Sequence, residues 1–117
     1  MRIRMLTAAL LLTALTGVAY GDVRSDAIEQ VEFGIAVAQR GLWKEAVYRW
    51  QRATQIDPSY AAAFNNLAVA YEHEGLLEKA GEAYERALKL EPNSAMVRQN
   101  FELFKEIHDR TTKSQTP

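Results

Sequence analysis

Residues 61–94 read AAAFNNLAVAYEHEGLLEKAGEAYERALKLEPNS, and this stretch decides how the chain folds. Apolar residues recur in it at spacings of three and four, which is the pattern of a helix with one buried face. Gly75 stands where a first helix would end, and Pro92 follows the end of a second. The stretch therefore predicts two helices, over 60–74 and 76–90, joined by a short turn.

The same pattern extends in both directions along the chain. It predicts further helices over 27–40, 42–56 and 95–109, the first of them opened by Asp26 and Glu29 as a capping box. No run alternates apolar and polar positions with β-branched side chains, so no strand is predicted. The predicted fold is all-α, with five helices.

The predicted helices also repeat. At an offset of 34 residues, positions in 27–60 are identical to positions in 61–94 at Ala27, Ala36, Gly41, Leu42, Ala46, Arg52, Ala53 and Pro58. Small residues let helices approach closely, and large residues beside them fill the remaining space. A fixed period of this kind predicts a stacked helical solenoid.

The second repeat resembles the tetratricopeptide repeat, a helix–turn–helix unit with this period. The resemblance is carried by Leu67, Ala68, Tyr71, Gly75, Ala80, Tyr84, Ala87 and Pro92. The first repeat keeps most of the signature but has Gln30 and Val37 where aromatic residues are usual. The resemblance implies a right-handed superhelical stack: repeat 1 over 27–60, repeat 2 over 61–94, and a half-repeat or capping helix over 95–109. Residues 22–26 are expected to form a short leader and 110–117 a disordered tail.

The N-terminus has the composition of a secretory signal peptide. Arg2 and Arg4 precede a short apolar run, and Ala19-Tyr20-Gly21 fits the small-x-small cleavage pattern. We expect residues 1–21 to be removed before Asp22, leaving 96 residues with a net charge of −3 and no membrane span. The expected location is the periplasm or the exterior, and the alternative is an uncleaved membrane anchor. The apolar run is shorter than the roughly 20 residues that span a bilayer.

Composition excludes several classes of function. The chain of 117 residues has no cysteine, so disulfides, thiolate nucleophiles and cysteine-ligated metals are excluded. A net charge of −1 on an evenly mixed sequence argues against nucleic acid as a partner. His73 and His108 show no spacing typical of metal ligands, and no catalytic residue, metal site or cofactor is predicted. A small metal- or ligand-dependent enzyme remains the least favoured alternative.

The resemblance implies a protein-interaction scaffold that holds a protein or peptide partner in a concave groove. The residues expected to face that groove are Ile28, Val31, Ile35, Asn65, Val69, Glu72, Met96, Gln99 and Leu103. This floor is mainly apolar, so an apolar or amphipathic segment is the expected ligand, with Asn65 and Gln99 bonding to its backbone. The alternative is that the apolar members only complete the packing of the solenoid.

Two further hypotheses concern the ends of this groove. Relatives that clamp a terminal carboxylate use cationic residues, whereas this chain has Val31, Ile35, Met96 and Asn100 at the corresponding positions, so no clamp is expected. On the last helix, Met96, Leu103 and Ile107 form an apolar stripe that the contact with helix 76–90 would leave uncovered. This stripe predicts a homo-oligomer formed through the terminal helix, and the alternative is a polar capping helix with a few exposed apolar residues.

Overall fold

The backbone of residues 8–115 and the side chains of residues 22–115 are described by a computed structural model. It contains five helices: α1 (Ala8–Gln39), α2 (Trp43–Ile56), α3 (Ala61–His73), α4 (Leu77–Leu90) and α5 (Ala95–Ser114). No strand occurs within this part of the chain. The predicted all-α class and the five helices are confirmed, and the bounds of α2, α3 and α4 differ from the prediction by one residue at most at either end.

The first helix of each repeat is followed by one glycine. Gly41 and Gly75 have φ angles of 77° and 73°, a region that favours glycine because it has no Cβ. After each glycine the chain turns back, and the amide of Leu42 donates to the Val37 carbonyl as that of Leu76 does to Tyr71. These bonds satisfy carbonyls left free at the helix end and fix a tight hairpin between the two helices.

The helices pack as a linear stack. α1 pairs with α2 and α3 with α4, while α2 contacts α3 and α4 contacts α5. Fully buried alanines lie along the contacts, with one large ring, Trp50 or Tyr84, beside them in each pair. This arrangement confirms the helical repeat solenoid.

The contact between α1 and α2 centres on Gly34. The Trp50 indole lies against this glycine and donates from Nε1 to the Val31 carbonyl at 3.0 Å. A Cβ added to Gly34 would lie 2.7 Å from both Cδ1 and Cε2 of Trp50, which is too close for an unmoved ring. The equivalent pair in the second repeat is Ala68 with the smaller Tyr84, and both are buried.

The start of α1 differs from the prediction. Residues 22–26 are helical and continuous with the rest of α1, so Asp26 lies inside the helix and does not cap it. No glycine or proline interrupts residues 22–33, so nothing in this segment stops the helix. Residues 1–7 of the expected signal peptide lie outside the described residues, as do the side chains of residues 8–21. No helix in the described part of the chain is both long and apolar enough to cross a membrane.

Arg24 attaches this extension to the turn between the repeats. Its guanidinium pairs with Asp57, bonds to the Ser59 hydroxyl at 3.2 Å and lies over the Tyr60 ring at 4.7 Å. Asp57 is buried and also accepts from the amide and hydroxyl of Ser59, at 3.0 and 2.7 Å. Burial alone would raise the pKa of Asp57, but the bonds from Ser59 and Arg24 outweigh it and lower the pKa below its ordinary value.

The end of α5 also differs from the prediction. Residues 110–114 continue the helix that was expected to stop at residue 109, so the tail is not disordered over this range. One local contribution is the ion pair between Arg110 and Glu106, which lie four residues apart on one side of the helix. Residues 95–116 contain no glycine or proline that would break the helix.

One face of α5 closes the stack against α4. Val97 and Phe104 are buried, and the rings of Phe101 and Phe104 lie 5.5 and 5.6 Å from that of Tyr84. This face of α5 therefore packs on the helix that precedes it in the chain. The opposite face of α5 has no helix over it within the described residues.

We predict that Gly34→Ala destabilises the protein, because the added methyl group collides with the Trp50 ring. The expected loss in the free energy of unfolding is about 1–3 kcal/mol, as for overpacked cores. Urea unfolding followed by circular dichroism measures it. The control is Gly81→Ala, where the new Cβ would approach Phe104 no closer than 3.6 Å. That variant should be neutral or slightly stabilised, and equal losses in both would contradict the packing argument.

We also predict that Asp57→Asn lowers stability at neutral pH by about 1–2 kcal/mol, since it removes a charge bonded to Arg24. Because the pKa of Asp57 is lower in the folded protein, its ionised form stabilises the fold at pH values above about 4, which is the ordinary pKa of an aspartate. The wild-type protein loses this advantage as pH falls through the lowered pKa. Unfolding curves should therefore differ most near pH 7 and converge on acidification. The control is Glu91→Gln, at the matching exposed position in the second repeat. Its unfolding curve should match that of the wild type at neutral and at acidic pH.

Candidate interaction groove

The first helix of each repeat and the terminal helix form one continuous surface, which we term the groove. α1 contacts α3, and α3 is joined to α5 through Asn65 and Asn100 at 3.3 Å. Along α1 the side chains of Ile28 and Ile35 are exposed, and along α5 those of Met96, Gln99 and Leu103 are exposed. On α3, Val69 and Glu72 are half-buried. Seven of the nine expected groove residues are therefore accessible.

The other two are not accessible, and their prediction as groove residues was wrong. Val31 is 5% exposed and belongs to the buried core of the stack. Asn65 is 3% exposed, and its carbonyl accepts from Asn100 on the neighbouring helix. Val31 and Asn65 are 34 residues apart and so occupy the same register position in the two repeats. Small residues bring the helices of the stack so close together that a neighbouring helix covers this position. Gln99, at the same register position on α5, is exposed because no helix follows α5 in the described chain.

Asn65 therefore does not bond to a ligand backbone as the sequence predicted. Its neighbour Asn66 is half-buried and lines a socket of about 320 Å³ between α1, α2 and α3. Apolar walls of this socket come from Ile35 and Val69, and the Gln39 side chain adds a second amide. The remaining lining residues are Ala38, Trp43 and Trp50. An aliphatic side chain of a ligand would find apolar contact here, with two amide groups beside it.

Trp43 is the groove residue that sequence reasoning missed. It lies at the start of α2, whereas only the first helix of each repeat was expected to contribute. Its ring stacks on His73 at the end of α3, with centroids 3.7 Å apart and planes 8° apart. The available clue was the offset of 34 residues, which matches Trp43 with Leu77 and so marks an extra aromatic ring at one end of the groove.

Glu72 is held by its own repeat. The Tyr84 hydroxyl donates to Glu72 Oε2, and this bond joins α4 to the groove side of α3. Burial, followed by the hydrogen bond and the charge of Glu72, raises the pKa of Tyr84, so this hydroxyl stays a donor.

The stripe expected to mediate self-association is exposed. Met96, Leu103 and Ile107 are each more than half accessible, along a side of α5 next to the buried Phe104. Polar and charged residues flank the stripe, among them Gln99 and Glu106. Within the described residues, no group of three or more histidine, aspartate or glutamate side chains could hold a metal ion.

A stack of helix pairs with an apolar surface on its first helices defines a helical-repeat protein. Two family profiles match the chain: "TPR repeat" over residues 34–75 and "Tetratricopeptide repeat" over residues 61–94. Together they span just over half of the chain, and the chain belongs to the tetratricopeptide repeat family. The family is one of non-enzymatic scaffolds, and this chain is a protein–protein interaction module.

Solved structures similar to the chain include two first tetratricopeptide repeat domains of proteins named RPAP3. The first tetratricopeptide repeat domain of Spaghetti (RPAP3), bound to the HSP90 peptide SRMEEVD, is 19% identical with a TM-score of 0.41. That match covers 73% of this chain and 94% of the other. The first such domain of human RPAP3, determined by NMR, is 19% identical with a TM-score of 0.45, covering 78% of this chain and 98% of the other. No curated protein sequence matches the chain.

Proposed function

We propose that this protein is an exported adaptor whose concave groove binds an apolar or amphipathic segment of a partner protein outside the cytoplasm. The observation that carries the proposal is the socket between α1, α2 and α3, which opens on the groove beside the exposed Ile35. Burial of one aliphatic side chain in such a site contributes about 1.5–3 kcal/mol. Ile28 at one end of the groove and Leu103 at the other offer further apolar contact.

An amphipathic helix or an extended segment fits this surface for a physical reason. Apolar anchors at helical spacing can enter the socket and contact the exposed aliphatic residues, while polar positions of the same segment face water. The amides of Gln39 and Asn66 stand at the socket, where they can bond to polar groups of the bound segment. The groove lacks the cationic positions of carboxylate-clamping relatives, so an apolar anchor is favoured over a terminal carboxylate in this groove.

Export is supported by the N-terminal sequence. Arg2 and Arg4, the apolar run after them, and Ala19-Tyr20-Gly21 form the three parts of a signal peptide. With cleavage before Asp22, the helix that begins the mature protein carries Arg24, which bonds to the first inter-repeat turn. The alternative is a protein held at the membrane by an uncleaved segment.

The groove is tested by pull-down from envelope and cytosolic extracts with three baits. These are the wild-type chain, the double variant Ile35→Glu and Val69→Glu, and the control Leu76→Glu, which changes an exposed leucine away from the groove. We expect proteins captured by the wild type from the envelope extract to be retained by the control. The groove variant should lose them, because two carboxylates would line the socket. Identical recovery by all three baits, or capture only from cytosol, would overturn the proposal.

A second candidate function is self-association through α5, favoured by the exposed Met96, Leu103 and Ile107. If this stripe joins two copies, light scattering should give twice the monomer mass for the wild type. The variant Leu103→Gln with Ile107→Gln should give the monomer mass, while Leu42→Gln, another exposed leucine, should stay dimeric. A monomeric wild type, or a dimer unaffected by the double change, rules this candidate out.

A further inference from the structure

A second concave site lies apart from the groove, at the end of the helices where the two repeats meet. It has a volume of about 440 Å³, and none of its lining residues belongs to the socket. Three segments form it: residues 23–24 of α1, the turn between α2 and α3, and the last turns of α4. We term it the cleft, lined by Val23, Arg24, Asp57, Pro58, Ser59, Arg86 and Leu90.

The cleft carries one uncompensated positive charge. Among its lining residues are two arginines, Arg24 and Arg86, and one residue with a carboxylate, Asp57. Both oxygens of Asp57 are in use, Oδ2 by Arg24 and Oδ1 by Ser59, so its charge offsets that of Arg24. Arg86 forms no ion pair with any described side chain and lies over the Phe64 ring at 5.7 Å. The cleft therefore attracts an anion at its Arg86 side.

The walls of the cleft restrict what kind of anion fits. Val23 and Pro58 are exposed and Leu90 is half-buried, so three apolar side chains surround the charged groups. A small inorganic anion would leave this apolar surface in water. An aliphatic side chain next to a carboxylate would use both parts of the site, because apolar burial and the charge-assisted bond add.

A membrane surface suits the cleft less well than a peptide. Attraction to anionic lipid grows with the number of clustered cationic residues, at about 1 kcal/mol for each. The cleft offers a single uncompensated cation, Arg86, and the carboxylate of Asp57 lines the same cleft. One carboxylate of a peptide matches that charge.

We propose that the cleft binds an acidic peptide in which a large aliphatic residue stands next to aspartate or glutamate. Arg86 bonds to the carboxylate, and the aliphatic side chain packs on Val23, Pro58 and Leu90. Arg24 is held by Asp57 and Ser59 and positions Val23 at the edge of the site. This site does not depend on the groove, so a partner that occupies the groove could contact both surfaces or only one.

The proposal is tested by titrating the ¹⁵N-labelled full chain with N-acetyl-Leu-Asp-amide, using N-acetyl-Leu-Asn-amide as the uncharged control. The acidic peptide should shift the amide resonances of Val23, Ser59 and Leu90 and saturate with a Kd of about 1 mM. The uncharged peptide should bind about tenfold more weakly. Arg86→Gln should weaken the acidic peptide about tenfold, since it removes a charge-assisted hydrogen bond.

Lys89→Gln is the matched control, because it removes an exposed cation from the same helix without touching the cleft. It should leave the affinity within about twofold, as should the groove variant Val69→Glu. Equal binding of both peptides, unchanged binding by Arg86→Gln, or shifts confined to other residues would overturn the proposal. So would a response of these resonances to phosphatidylglycerol vesicles or inorganic phosphate without a response to the acidic peptide.

Discussion

The stack depends on how closely the two helices of a repeat can approach each other. In the first repeat that distance is set by Gly34, whose missing side chain leaves room for the Trp50 indole and its bond to the Val31 carbonyl. In the second repeat a smaller ring meets Ala68 at the same register. Ring size and the size of the facing residue thus compensate each other, and both helix pairs reach a close-packed contact by different means.

Most of the architecture could be predicted from the sequence because it is periodic. Helix ends at Gly41 and Gly75 follow from backbone conformations that favour glycine, and the offset of 34 residues fixes the stacking. Burial at register positions shared between helices could not be predicted in the same way. Val31 is apolar and Asn65 is polar, yet both are buried, because a neighbouring helix covers them. Whether it does so depends on the distance between helices, which residue type alone does not give. The role of Trp43 was missed because it joins the groove from the second helix of a repeat.

Equivalent positions in the two repeats have different environments because the stack has two different ends. Asp57 is buried where the N-terminal extension of α1 crosses the inter-repeat turn, whereas Glu91 at the same register is exposed. Gln99 and Asn65 differ for the corresponding reason at the other end. The repeated sequence therefore supplies similar side chains, and their place in the stack decides whether each one stabilises the fold or faces a ligand.

The order of contacts along the chain has a consequence for how the protein is made. Within residues 8–115, the helix pairs that pack against each other extensively are neighbours in sequence or are separated by one helix. Such contacts close short loops, which favours rapid folding because little chain entropy is lost before each contact forms. If the chain emerges from a narrow channel with its N-terminus first, each helix pair can form as soon as its second helix is outside. No early segment has to wait for a distant one, and little apolar surface stays exposed during passage.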